Sequence, residues 1–256
     1  MQDHGDQRGV VGSTKSASDA ENGSFPFPGR WLGSASLILA PLLLLTGILL
    51  RIQFHFFFPQ QLAAYHDHPM LITAAYNSYL AGNILLWPAV LTVATTIAQK
   101  RRGWALWGGS FVVFGLFART FHAGADYLAF QIVRIEGVEN ASKSIAASYG
   151  AFHVVSALNA TILLGWILLA IGAYLAGTLG LLRSIALALM SSLMMGVLKG
   201  SSITSVIATG GLCIAFVPLG VTLLRTEPAP SLRKLLLGSA AGLVLVGALF
   251  YFGQLG

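Results

Sequence analysis

The stretch RWLGSASLILAPLLLLTGILLR, residues 30–51, places 20 uncharged residues between Arg30 and Arg51. A helix rises 1.5 Å per residue, so about 20 apolar residues cross a hydrocarbon core of roughly 30 Å. The length of this stretch and the basic residue at each end predict a transmembrane helix. Over the whole chain, apolar residues reach 55% and charged residues only 9%, whereas an ordinary soluble domain has about 25% charged residues. The sequence therefore predicts an all-α, polytopic integral membrane protein.

Further apolar stretches extend this prediction to a bundle of seven transmembrane helices. The predicted ranges are about 31–50, 70–98, 103–124, 145–175, 184–199, 202–224 and 235–254, which form one transmembrane domain over residues 30–256. The fifth range is the shortest, because only 15 residues separate Arg183 from Lys199. Both side chains would have to extend to the interfaces for this stretch to span the membrane. The alternative is a re-entrant segment, which would lower the helix count.

Charge patterning predicts the orientation of the bundle. Residues 1–29 are polar and mixed in charge, a composition typical of a disordered segment, which we assign to the cytosol. With the N-terminus in the cytosol and the C-terminus outside, ten Lys and Arg residues lie on the cytosolic side and five on the outer side. This follows the positive-inside rule and predicts a multi-pass plasma-membrane protein with the short loops of a bacterial one. The basic residues do not collect on one soluble face, which argues against a nucleic-acid partner.

A histidine cluster is predicted near the outer face of the bundle. Outside the tail, all five histidines fall close to that boundary: His55, His66, His68, His122 and His153. Ionisable groups at this depth are costly unless they pair or line a cavity. We therefore predict a polar cavity there, formed by the first four helices. His66, His68, His122 and His153 are its candidate metal ligands, and imidazoles near the thioether of Met70 would suit copper or haem iron.

The third predicted helix supplies the candidate catalytic residues. Arg119, His122 and Asp126 occupy positions i, i+3 and i+7, so one helix face presents all three. A carboxylate four residues from an imidazole can orient it and raise its basicity, and an arginine can hold an anionic head group. Tyr76 and Asn83 share a face of the second predicted helix, and together with Arg51 they are the predicted cofactor-binding residues.

Three functions are consistent with this pattern. The first is a metal- or haem-binding redox protein or other membrane enzyme, which we favour because five outer-side histidines exceed what helix packing requires. The second is a metal-free enzyme acting on a lipid or isoprenoid, with His122 and Asp126 transferring protons. The third is a small permease, sensor or immunity-type protein. The lipid bilayer is the expected partner and an amphiphilic small molecule is the candidate substrate, while the oligomeric state is left open. A retinal protein is disfavoured, since the last predicted helix has no lysine at its middle.

Overall fold

The computed structural model of the protein describes residues 27–148, 154–193, 197–226 and 232–253. Eight α-helices and no strand occur in these ranges. Five of the described helices are long and apolar enough to cross a membrane: α1 (Arg30–Leu50), α3 (Pro69–Ala98), α4 (Arg102–Ser148), α5 (Val154–Leu175) and α7 (Ile203–Arg225). The others are α2 (Phe58–Asp67), α6 (Leu181–Ala188) and α8 (Leu232–Gly253). The all-α class and several apolar helices compatible with a membrane protein are thus confirmed.

The predicted number of seven spanning helices is not confirmed. The predicted fifth helix, 184–199, is instead α6 followed by a 3-10 turn at Leu189–Ser192. These 12 residues rise only about 18 Å, and the chain at 197–202 is not helical. Of the predicted tail, only residues 27–29 are described.

The third and fourth predicted ranges also differ from the structure. α4 does not end at 124 but continues to Ser148, with a break at Gly137, where φ is 80° and ψ is 167°. The part beyond the break is polar and carries an exposed ion pair of 2.7 Å between Lys143 and Glu139. The predicted fourth helix, from 145, therefore begins inside α4, and α5 begins at Val154 in the described chain.

Close packing of α1 against α3 forms the centre of the bundle. A Cβ added at Gly47 would lie 2.6 Å from the Ala75 carbonyl oxygen, and one at Gly82 would lie 2.8 Å from the Ala40 carbonyl oxygen. Small residues let membrane helices approach at this distance. Fully buried Leu, Val and Ile side chains from α1, α3 and α4 fill the space beside this contact.

The two ends of the bundle differ in character. One end, which we call the basic end, carries Arg30, Lys100, Arg101 and Arg102, and there Arg30 donates from Nε and Nη2 to the Leu223 carbonyl oxygen at 2.7 and 2.6 Å. The opposite end, which we call the cavity end, contains the irregular segment 197–202, which lies against the chain between α1 and α2. Non-helical backbone at membrane depth is tolerated only where protein covers it or where it lines a cavity.

The C-terminal helix α8 stands apart from the rest of the bundle. It packs against none of the other elements in the described part of the chain, and its described leucine and valine side chains are exposed. A Cβ added at Gly238 or Gly242 would meet nothing within 4 Å. An apolar helix with this surface suits contact with lipid.

Candidate functional site

A cavity lies at the cavity end, between α1, α3, α4 and the segment 197–202. The centre of a water-sized sphere can occupy about 40 Å³ of it, which is room for about three ordered waters. We call it the cationic cavity, because Arg51, Arg119 and Lys199 line it while Asp126 is the one carboxylate among its described lining residues. The other described lining residues are Ile48, Phe56, Tyr76, Tyr79, His122, Ala123, Leu193, Gly200 and Ser205.

Arg51 enters the cavity from the end of α1. It is the residue that follows the last helical turn, and its side chain is buried. Its Nε donates to the Ser201 hydroxyl at 3.1 Å. The guanidinium carbon lies 4.3 Å from the centroid of the Tyr76 ring and 5.0 Å from that of Tyr79. These ring faces hold the cation by cation–π attraction, which positions its charge without neutralising it.

Arg119 of α4 contributes a second buried guanidinium. Its side chain is 5% exposed, and Nη2 donates to the Leu193 carbonyl oxygen at 3.4 Å. Its Nε and Nη1 are buried and have no hydrogen-bond partner among the described residues. A buried donor without an acceptor carries the full cost of its desolvation, about 1–3 kcal/mol and more for a charged group. An acceptor that entered the cavity would remove this cost.

His122 and Asp126 complete the α4 face of the cavity. Each is 7% exposed, and they lie one turn apart on the same face as Arg119, so the structure brings the three predicted catalytic residues together. The Asp126 carboxylate accepts a hydrogen bond of 2.5 Å from the Leu198 backbone N–H. This bond joins α4 to the segment 197–202 and positions Lys199, the next residue.

The segment 197–202 is the part of the site that sequence reasoning missed. Leu198 has a φ of 50°, in the left-handed region that residues with a side chain rarely adopt. The Lys199 ammonium lies 5.6 Å and 5.8 Å from the ring centroids of Phe56 and Phe57. Ser202 then caps α7 by accepting from the Ser205 N–H at 3.3 Å. The signal in the sequence is the spacing from Arg183 to Lys199, which is too short for an ordinary span.

The predicted metal ligands are not brought together. His66 and His68 are exposed on α2 and at its end, His122 is buried in the cavity, and His153 lies outside the described residues. Within the described ranges, no group of three or more His, Cys, Asp or Glu residues could hold a metal ion. The predicted histidine cluster and metal binding are therefore not supported. The physical reason is that α2, which sequence reasoning did not predict, leaves both imidazoles at the surface. His66 lines a surface pocket with Arg134 of α4, and the His68 ring lies 5.6 Å from that of Phe54.

The predicted cofactor-binding residues separate into two environments. Tyr76 lines the cavity beside Arg51, and its hydroxyl donates to the Gln61 side-chain oxygen at 3.2 Å. Asn83 lies deeper, where its amide donates to the Leu116 carbonyl oxygen at 3.4 Å and to the Thr120 hydroxyl at 3.1 Å. Asn83 therefore links α3 to α4 and is not among the cavity residues.

The electrostatics of the cavity favour an anion. Three cationic side chains line it, and the first turn of α7, which carries a partial positive charge, reaches it through Ser205.

Comparison of the chain with protein-family models, with curated proteins and with solved structures finds no match in any of the three.

Proposed function

We propose that the protein binds the anionic head group of an amphiphilic small molecule in the cationic cavity, without a metal or haem. The observation that carries this proposal is the pair of buried guanidinium groups, Arg51 and Arg119, lining one cavity with Lys199 and facing one described carboxylate. The Arg119 Nε and Nη1 atoms are buried without a hydrogen-bond partner among the described residues, and an anion would supply an acceptor.

The same proposal includes an orientation in the plasma membrane. The run Lys100–Arg102 and Arg30 at the basic end support a cytosolic basic end and an N-terminus in the cytosol. The cationic cavity would then open towards the outer side. A head group would reach it from the outer half of the bilayer.

We include seven membrane crossings in this proposal. The fifth is α6 together with the non-helical chain that follows it, and the seventh is α8. The chain after α5 starts near the basic end, where a Cβ on Gly177 would lie 3.9 Å from the Lys100 ammonium. It reaches the cavity end where Leu198 contacts Asp126 and Ser201 contacts Arg51. Discontinuous helices of this kind form the ligand sites of many membrane transporters.

Proton transfer at the bound head group is a second candidate function. His122 and Asp126 are buried side by side on α4 and line the same cavity as the cations. A metal-free enzyme would use such a pair as acid and base. A change in the mass of an amphiphile during incubation with the protein, lost in His122→Gln, would identify this activity. An unchanged amphiphile would leave a binding protein or permease.

The binding proposal is tested with single-chain amphiphiles that differ in head group. Protein in phosphatidylcholine nanodiscs is titrated calorimetrically with dodecanoate, dodecyl phosphate, dodecanol and dodecyltrimethylammonium, and empty nanodiscs supply the background. We expect the two anionic probes to bind more tightly than the neutral and cationic ones. Replacing the buried arginine in Arg119→Gln should weaken anionic binding by about 10- to 100-fold.

The matched control is Arg134→Gln, an exposed arginine on the same helix outside the cavity. It should leave binding within about twofold, because an exposed charge is solvated and screened. Equal affinity for all four probes, or equal losses in the two variants, would contradict the proposal. Metal analysis and an optical spectrum of the purified protein complete the test, since a stoichiometric transition metal or a haem band would overturn the metal-free assignment.

A further inference from the structure

A groove runs between α3 and α4 at the basic end of the bundle, far from the cationic cavity. All of its described lining residues come from the ranges 91–98 and 102–114, so no other element of the described chain lines it. We propose that this α3–α4 groove binds an acyl chain of an anionic phospholipid and that Arg102 binds the phosphate of its head group. The proposal concerns a second site and does not depend on the function of the cationic cavity.

The length and lining of the α3–α4 groove suit an acyl chain. The two helices approach closely along it, since a Cβ on Gly109 would lie 3.1 Å from the Ala94 side chain. Leu91 and Phe114 line the groove further from the basic end. Between Arg102 and Phe114 the helix rises about 18 Å, which is close to one leaflet, half of a hydrocarbon core of roughly 30 Å. A chain that starts at the basic end therefore reaches the far end of the groove.

The charge at the basic end favours an anionic head group. Arg102 lines the groove and is exposed, and Lys100 and Arg101 precede it in the turn between α3 and α4. α4 also begins here, and the partial positive charge of its N-terminus adds to that of the three side chains. The carboxylates of the described chain lie in α2 and towards the cavity end of α4, and they are Asp67, Asp126, Glu136 and Glu139. Basic pockets between transmembrane helices bind lipid head groups in this way.

Charge also separates a lipid from another candidate occupant of the groove, the unpacked helix α8. α7 ends at the basic end with Arg225, and α8 follows it with Arg233 in its first turn. Placing α8 in the groove would bring Arg233 to the same depth as Arg102, and like charges repel each other. A lipid phosphate would instead place an anion beside Arg102. The charge pattern therefore favours the lipid.

Photolabelling locates the bound lipid. The protein is placed in phosphatidylcholine nanodiscs with a small fraction of a phosphatidylglycerol that carries a diazirine on one acyl chain, and a phosphatidylcholine with the same labelled chain is the neutral probe. Labelled positions are mapped by mass spectrometry, and labelling of the groove is divided by that of Leu163 and Leu164, exposed residues of α5 outside it. We expect this ratio to be about fivefold or more higher for phosphatidylglycerol, because each nearby Lys or Arg strengthens binding of an anionic lipid by about that factor.

The head-group contact is tested by a matched pair of arginine substitutions. Arg102→Gln should lower the phosphatidylglycerol ratio by about fivefold. Arg225→Gln removes the same charge from an exposed residue at the same end of the bundle but outside the groove. Its ratio should stay within about twofold, because an exposed charge at a distance is screened.

The chain contact is tested by a matched pair of alanine substitutions. Ala98 lines the groove, so Ala98→Phe fills it and should lower groove labelling by either lipid. Ala160→Phe, at an exposed position of α5, should leave groove labelling unchanged. If Ala98→Phe does not fold, the comparison of the two lipids and the arginine pair decide the proposal.

The outcomes that overturn the lipid site are distinct from those that bear on the cationic cavity. Equal ratios for the two lipids, or equal losses in Arg102→Gln and Arg225→Gln, would overturn the proposal. Groove labelling below that of Leu163 with both lipids would show that α8 or a second copy of the chain covers the groove, and would overturn it too. Arg119→Gln, in the cationic cavity, should leave the groove ratio unchanged.

Discussion

Replacing Asp126 with leucine should release the segment 197–202 from α4. Leucine has a similar shape but no acceptor, so the substitution removes the hydrogen bond that the Leu198 N–H donates to the carboxylate. A hydrogen bond to a charged group contributes about 1.5–3 kcal/mol, which corresponds to a roughly 10- to 150-fold larger open fraction. Leu198 also holds a φ of 50°, and relief of this strain favours opening further.

Hydrogen exchange measures this opening directly. For protein in nanodiscs, with exchange resolved to single residues, we expect the Leu198 amide to exchange about 10- to 150-fold faster in Asp126→Leu than in the unaltered protein. Asp126→Asn keeps an oxygen acceptor of the same geometry, so its increase should be smaller. Global stability is a poor readout here, because the substitution also removes the desolvation cost of a buried carboxylate.

An internal reference makes the result decisive. The Leu169 amide belongs to α5, its side chain is fully buried, and its exchange should stay unchanged in both variants. An unaltered Leu198 exchange rate in Asp126→Leu would refute the argument that this carboxylate holds the segment. A parallel rise at Leu169 would show general loosening of the bundle instead.

Two substitutions test the packing that positions the cavity. Gly82→Leu places a Cβ 2.8 Å from the backbone of α1, so we expect a loss of about 1–3 kcal/mol in thermal unfolding. Gly103→Leu, where a Cβ would meet nothing within 4 Å, is its control, and equal losses would contradict the close approach. Asn83→Leu removes the hydrogen bond to Thr120 and should cost about 0.6–1.7 kcal/mol; the exposed Asn77→Leu should not, and a stable Asn83→Leu protein would refute this link.

The apolar helices agree closely with their predicted ranges where a charge marks each end. The predictions 31–50, 70–98 and 202–224 correspond to α1 at Arg30–Leu50, α3 at Pro69–Ala98 and α7 at Ile203–Arg225. Bilayer thickness sets a required length, and ionised side chains stop at the interface. Both constraints are local and can be read along the chain.

The polar helices were not predicted, because they lack the long apolar run between charges that marks a membrane span. α2 and the second half of α4 lie outside the apolar runs, and their sequences contain many polar and charged residues. Helices such as these are stabilised by packing and by pairs such as Glu139–Lys143, which leave no long apolar signal. The surface positions of His66 and His68 depend on α2, so the predicted histidine cluster is not supported for the same reason.

The sequence alone determined the apolar helical class and the shared face of Arg119, His122 and Asp126. Helix periodicity is a local property, so positions i, i+3 and i+7 meet wherever a helix forms. The tertiary structure alone decided that Arg51 meets Ser201 and that Asp126 meets Leu198, residues separated by 150 and 72 positions. It also brought Lys199 into the cavity through a segment that sequence reasoning treated as the end of a helix. Contacts over such separations arise from how the helices pack together, and no local periodicity encodes them.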